Sequence, residues 1–229
     1  MVQVRLMSNR ARTREEKEQR KRLILDAAKE LFFTRGYRDT TIERITERAG
    51  VSTGTFYLYF KSKQEIYMTL YADGIELFQA MAQEAISWPG MSAIARLSAI
   101  AHAYFRFYTN HTEYFEILAF IHMYQADLKE RSKMSAILDE KAIELLKIIE
   151  AVIQQGIETG ELTPMDTWKA TNVLWGMMDG LVMLAERENL MVMGVTLEDL
   201  IKQALQIIFY GMEARSGIRG NDLSKETMQ

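Results

Sequence analysis

Proline occurs only twice in 229 residues, at positions 89 and 164, and this scarcity constrains the fold more than any other single feature. A chain that so rarely interrupts its amide ladder, and is rich in Leu, Ile, Ala, Met, Glu and Lys, favours long helices over a β or loop-rich fold. Both prolines fall at breaks in apolar periodicity. Trp88-Pro89-Gly90 ends one periodic run. Thr163-Pro164-Met165-Asp166 has the pattern of a helix start, with an N-cap threonine, proline at the first helical position and an acid in the first turn. The expected class is all-α.

Periodicity places the helices. Residues 1 to about 13 are polar and basic without an apolar repeat and are expected to be disordered in isolation. Helical pattern begins near Arg14. Ile24, Ala27, Ala28, Leu31 and Phe32 form one apolar face, and Gly36 stands where a stop belongs. Thr40-Thr41-Ile42-Glu43 carries a threonine followed three residues later by glutamate, a capping-box pattern. The short helix it opens ends at Gly50, and Val51-Ser52-Thr53-Gly54 starts another after a tight turn. In that second helix Phe56 and Phe60 are expected to pack inward while Ser52, Thr53, Thr55, Tyr57 and Tyr59 face outward. Two short helices joined by a tight glycine-containing turn form a helix-turn-helix. Ser62 with Glu65 repeats the capping pattern and opens a helix running to about Ser87. Further helices are predicted over roughly 91–108, 112–125, 128–159, 164–188 and 196–214, about nine in all.

Hydrophobic residues make up 48% and charged residues 26% of the chain, and cysteine is absent. The balance is that of an ordinary globular protein, and the missing thiols exclude a disulfide scaffold, a thiolate metal site and a cysteine nucleophile. His102, His111 and His122 match no metal-ligand spacing. No glycine-rich phosphate loop, nucleophile elbow or recognisable catalytic pair is present, so no catalytic residue, metal or cofactor is expected and an enzyme is disfavoured. The longest apolar stretch, 173–185, is too short to span a bilayer and contains Asp179; no membrane association and a cytoplasmic location are expected. The net charge of -3 conceals a partition. Residues 1–63 hold 15 Lys/Arg against 8 Asp/Glu, whereas residues 64–229 hold 13 against 23. A basic head on an acidic body suits a protein whose head approaches phosphates. The run from Arg10 to Arg22 is either an arm that adds phosphate or minor-groove contacts or a solvated charge run.

The segments Ala28-Lys29-Glu30-Leu31-Phe32, Gly36-Tyr37, Thr40-Thr41-Ile42, Ala49 through Phe60 and Lys61-Ser62-Lys63 together resemble, in order and spacing, the DNA-binding domain of the tetracycline-repressor family. The resemblance spans about 50 residues. It implies a helix-turn-helix head over residues 1–63 and a helical effector-binding and dimerisation domain over 64–229. It further implies that Thr41, Ser52, Thr53, Gly54, Thr55, Tyr57, Tyr59, Lys61 and Lys63 meet double-stranded DNA. Hydroxyls at 52, 53 and 55 suit base edges or phosphates, the missing side chain of Gly54 suits close backbone approach, and Tyr57, Tyr59, Thr41 and Lys63 suit phosphates. Position 53 carries threonine where relatives commonly carry lysine or arginine, so positioning with some base readout is expected there.

The same resemblance implies a small effector in the body. Aromatic and sulfur side chains support a hydrophobic or aromatic ligand, with Tyr104, Tyr108, Phe120, His122, Met123, Trp175, Met178 and Asp179 as candidate contacts. Asp179 and His122 are polar residues inside apolar runs; each either orients an effector or satisfies the other. Residues 173–185 are apolar nearly all round, which needs cover on both sides. A symmetric dimer seam containing Leu174, Leu181, Leu197, Leu200, Ile201, Ala204, Leu205 and Ile208 supplies it, as does a monomer with that helix at its centre. The expected function is a ligand-responsive homodimeric repressor on a palindromic operator. The rival is a nucleoid or division-control protein of the same fold without an effector.

Overall fold

A computed structural model describes residues 2–124, 134–186 and 194–213. Among them are nine helices and no strand: α1 (Val2–Asp39), α2 (Ile42–Ala49), α3 (Thr53–Tyr57), α4 (Lys63–Ala85), α5 (Ala93–Asn110), α6 (Thr112–Tyr124), α7 (Met134–Glu158), α8 (Thr167–Glu186) and α9 (Leu197–Met212). The chain divides into two compact units, Met1–Ala80 with Arg106–Ala142 and Met81–Phe105 with Ile143–Gln229.

In the first unit, α1 packs on α2 and α6, and α2 on α3. The predicted apolar face of α1 is realised. Ile24, Ala27, Ala28 and Phe32 are buried together with Ile45 of α2, Phe56 of α3, Phe60, and Ile66, Tyr67 and Leu70 of α4. Each fully buried large side chain contributes about 1.5–3 kcal/mol, which is why helices as short as α2 and α3 are held in place. α1 departs from expectation at its start. It begins at Val2 instead of near Arg14, since a segment without proline or glycine extends an existing helix at little cost once the turn behind it has formed. Gly36, where the sequence signals a stop, leaves helical geometry at φ 77° and kinks the helix, which runs on to Asp39.

Adjacent threonines divide the work before α2. The sequence pattern points to Thr40 as the cap, but Thr41 is the N-cap and accepts from the Arg44 amide at 3.3 Å. Thr40 is fully buried and donates back to the carbonyls of Gly36 and Leu31. α2 ends at Gly50 in the left-handed region (φ 66°), with the Gly50 and Val51 amides returning to Glu47 and Thr46. Only glycine takes that conformation without strain, so the tight turn is written at this residue. Ser62 caps α4 through the Glu65 amide, and the Glu65 carboxylate receives the Lys61 amide at 2.6 Å.

In the second unit, α7 carries Gly156 where a side chain has no room. A Cβ there would lie 2.6 Å from the Ala93 Cβ and 2.7 Å from Leu162. The Ala93 amide is held by Glu161 at 2.7 Å. α8 opens at Thr167, later than the proline pattern suggests. Asp166 is the acceptor for the Lys169 amide, whereas Thr163 gives its amide and hydroxyl to the Met212 carbonyl. The pull of that long-range pair explains the displaced start. α8 packs on α9, and α9 opens with a full capping box between Thr196 and Asp199. Hydrogen bonds from Thr196 hold the Asp199 carboxyl below its ordinary range.

Candidate nucleic-acid interface and effector region

α3 is positioned by one side chain and capped by another. Phe56 is fully buried against Phe60 and Tyr57, fixing the rotation of the helix. Ser52 accepts from the Thr55 amide at 3.1 Å and its hydroxyl pairs with that of Thr55 at 2.9 Å. With Phe56 pointing in, Ser52, Thr53, Gly54 and Tyr57 are exposed while Thr55 and Tyr59 are half-buried. The head thus presents a short helix bearing hydroxyls and one bare backbone position. Lys61 and the N-cap Thr41 are also exposed.

Lys63 is used differently. Its ammonium donates to the carbonyls of Tyr37 and Thr40, both at 2.7 Å, with that of Arg38 at 3.4 Å, and lies 4.3 Å from the centre of the Tyr37 ring. Burial holds its pKa below the usual lysine range, Asp39 opposing the shift. In this structure the charge ties the start of α4 to the turn between α1 and α2. Tyr37 continues the link by stacking edge-on against Tyr67, whose hydroxyl donates to the Ile117 carbonyl inside α6. Sequence reading missed this link because its members lie 26 and 50 residues apart. It also passed over Leu58, a large apolar residue that is 81% exposed beside Tyr57.

The effector candidates separate. Tyr104, Trp175 and Asp179 come together in the second unit, where Met178 of α8 is also buried: the buried Tyr104 hydroxyl donates to Asp179 at 2.5 Å, and the Trp175 ring meets Tyr104 edge-on. Burial, then the Asp179 charge, pushes the Tyr104 phenol well above its ordinary value. Tyr108 belongs to the first unit, against Phe115. The side chains of Phe120, His122 and Met123 lie outside the described residues. A polar residue that the sequence did not flag, Thr171, is fully buried with its hydroxyl unpartnered. It stands one turn before Trp175 on α8. A groove of about 620 Å³ between α5 and α9 is lined by His102, Lys202, Leu205, Phe209 and Tyr210 among others, and by none of the predicted effector contacts.

Three of the expected seam residues, Leu174, Ile201 and Leu205, are buried within their own chain. Leu181, Leu197, Leu200, Ala204 and Ile208 are half-buried. The open apolar surface lies on the adjacent stripes: Val173 (62% exposed), Gly176, Gly180 and Met183 on α8, and Ile207 (65%), Tyr210 (68%) and Gly211 on α9. A helix apolar on two sides has two candidate stripes, and periodicity does not say which one the chain keeps for itself. Among the described residues no group of three or more acidic or imidazole side chains is arranged to hold a metal ion, and no helix is long and apolar enough to cross a membrane.

A capped recognition helix held by a buried phenylalanine, on a cation-rich three-helix head, is the working part of a helix-turn-helix DNA-binding transcription regulator. Residues 24–68 match the bacterial regulatory proteins of the tetR family, and residues 76–208 match the C-terminal region of YsiA-like proteins. The chain belongs to the tetR family. A fatty acid metabolism regulator protein of Bacillus subtilis (strain 168) is 28% identical over 157 residues, covering 68% of this chain and 78% of its own. The transcriptional regulator FadR from Bacillus subtilis, solved in complex with stearoyl-CoA, shares the fold at a TM-score of 0.66 and 24% identity, over 82% of this chain and 97% of that one. The fatty acid degradation regulator FadR from Bacillus halodurans does so at 0.69 and 20% identity, over 86% and 97%.

Proposed function

We propose that this regulator is a homodimeric repressor that binds a palindromic operator through residues 1–63 and releases it when an apolar effector enters the domain formed by residues 64–229. The observation that carries the reading is the exposed face of α3, where Ser52, Thr53, Gly54 and Tyr57 stand clear of the protein while Phe56 anchors the helix behind them. Hydroxyls and a bare backbone position suit a major groove. Thr41, Thr55, Tyr59 and Lys61 flank that face as phosphate contacts. Lys63 contributes by holding the turn before α2, and its carbonyl partners set where Thr41 stands.

The open stripes of α8 and α9 support pairing of two copies into a four-helix seam, which sets two heads about one helical turn of DNA apart. Gly176 and Gly180 are exposed, and a Cβ added at either would meet nothing within 4 Å, so a second backbone has room to approach closely. For the effector, Tyr104, Trp175 and Asp179, with Met178 and Thr171 buried on the same helix α8, offer apolar surface and three polar groups, the Tyr104 and Thr171 hydroxyls and the Asp179 carboxylate. The B. subtilis FadR structure holds stearoyl-CoA, which supports an acyl thioester as the class. An effector acts to the extent that it binds the released state more tightly than the DNA-bound one. A cytoplasmic location follows from these partners.

The test begins by selecting bound DNA from random fragments with the full-length protein. A palindromic site is expected, with affinity falling steeply as salt rises. Stearoyl-CoA is then titrated against the complex with that site and is expected to weaken it. Failure to select any site overturns the DNA assignment, and a site indifferent to stearoyl-CoA overturns the effector class.

A further inference from the structure

We infer that Leu58 is a specificity-determining residue that reads a thymine methyl group in the operator. This rests on the proposed assignment of the α3 face to DNA. Leu58 closes α3 as its C-cap with helical dihedrals (φ -73°, ψ -21°), so the helical rotation continues through it. At 100° per residue it lies two residues, or about 200°, from the buried Phe56, on the side of the helix facing away from the core. Gly54 lies two residues before Phe56 and therefore on the same outer stripe, four residues from Leu58. Because Gly54 has no side chain, Leu58 is the one that projects furthest from that stripe. Its 81% exposure is the consequence.

An exposed leucine costs free energy in water and has no packing role here. Its chemistry also limits what it does on DNA. It has no donor or acceptor, so it neither positions the head on phosphates nor reads a base edge by hydrogen bonding. The apolar feature a major groove displays is the C5 methyl of thymine. The neighbours complete the assignment of tasks: Ser52, Thr53 and Tyr57 carry the hydroxyls, the glycine lets the helix sink, and the leucine meets the methyl that the closer approach exposes to it. Base readout in this head therefore has an apolar component at position 58, which compensates for the uncharged residue at position 53.

The experiment uses the full-length protein and the selected operator, with each thymine replaced singly by deoxyuridine, which removes one methyl and nothing else. Wild type is expected to lose about four-fold in affinity at one thymine of each half-site, the worth of burying one such group. Leu58→Ala is expected to fold with an unchanged thermal midpoint, to bind the intact operator more weakly, and to show no further loss at that thymine. Its salt dependence should equal that of wild type, since no phosphate contact is removed. Three results overturn the proposal: uracil effects identical in wild type and Leu58→Ala, a uniform weakening with a changed salt slope, or no loss of operator affinity in the variant. If wild type selects no site at all, the assignment of α3 to DNA falls, and the role of Leu58 with it.

Discussion

Gly54 and Gly156 are both glycines inside helices, yet their surroundings demand opposite outcomes from the same substitution. A Cβ on Gly54 would meet only the Ser52 Oγ at 3.7 Å, an ordinary contact. Gly54→Ala should therefore fold as well as wild type or gain about 0.5–1 kcal/mol from helix propensity. If the bare position serves DNA approach, the same variant should lose about ten-fold or more in operator affinity, about 1.4 kcal/mol. Parallel thermal melts and anisotropy titrations separate the two effects, and unaltered affinity would remove Gly54 from the interface. At Gly156 a Cβ would sit 2.6 Å from Ala93 and 2.7 Å from Leu162, distances that require the backbone to move. Gly156→Ala should cost about 1–3 kcal/mol, measured as a lower midpoint in urea, with operator contacts untouched.

At the scale of elements, the join between α4, α6 and the head depends on buried tyrosine. Tyr67 packs edge-on against Phe32 and Tyr37 and gives its hydroxyl to α6. Burial first, then neighbouring charge, raises its phenol far above the ordinary 10.0. A folded-state pKa raised in this way stabilises the protein below the unfolded value and loses that contribution as pH climbs past it, because the unfolded chain releases a proton that the folded chain retains. Urea midpoints should fall between about pH 8 and about pH 10.5. Tyr67→Phe should cost about 1 kcal/mol at the lower pH and make the alkaline fall shallower; an identical fall in the variant would assign the effect to other tyrosines. Helix faces of this kind were legible from spacing alone, as the buried row from Ile24 to Phe32 and the inward pair Phe56 and Phe60 demonstrate. Partners across sequence were not. Whether Thr40 or Thr41 caps α2 is decided by which one the core buries, and Lys63 meets Tyr37 and Tyr104 meets Asp179 only after the helices have packed. Leu58 escaped notice for a related reason: between two tyrosines, a leucine carries no chemical flag, and its exposure emerges only from the rotation that Phe56 imposes.

For the whole molecule, the proposed pairing of two copies rests on the open stripes of α8 and α9. Ile207 and Tyr210 sit on the solvent side of α9, whereas Ile201, Leu205 and Phe209 hold it to its own chain. Ile207→Glu with Tyr210→Asp should therefore leave the helical content intact while converting the proposed dimer to a monomer by light scattering. Operator affinity should fall by about 100-fold or more once two heads no longer act together. A double variant that stays dimeric would move the seam elsewhere.

A face left open until it meets a copy ties each protomer's stability to how much of the protein the cell holds. Under the proposed pairing, water covers Val173, Ile207 and Tyr210 in the lone chain, and the free energy of pairing is withdrawn as the chain is diluted. Scarce regulator is then both less paired and more easily unfolded, so it clears from the cell faster than abundant regulator. The regulated gene would respond to regulator supply more steeply than in proportion, with a threshold set by helix surface instead of by any contact with DNA.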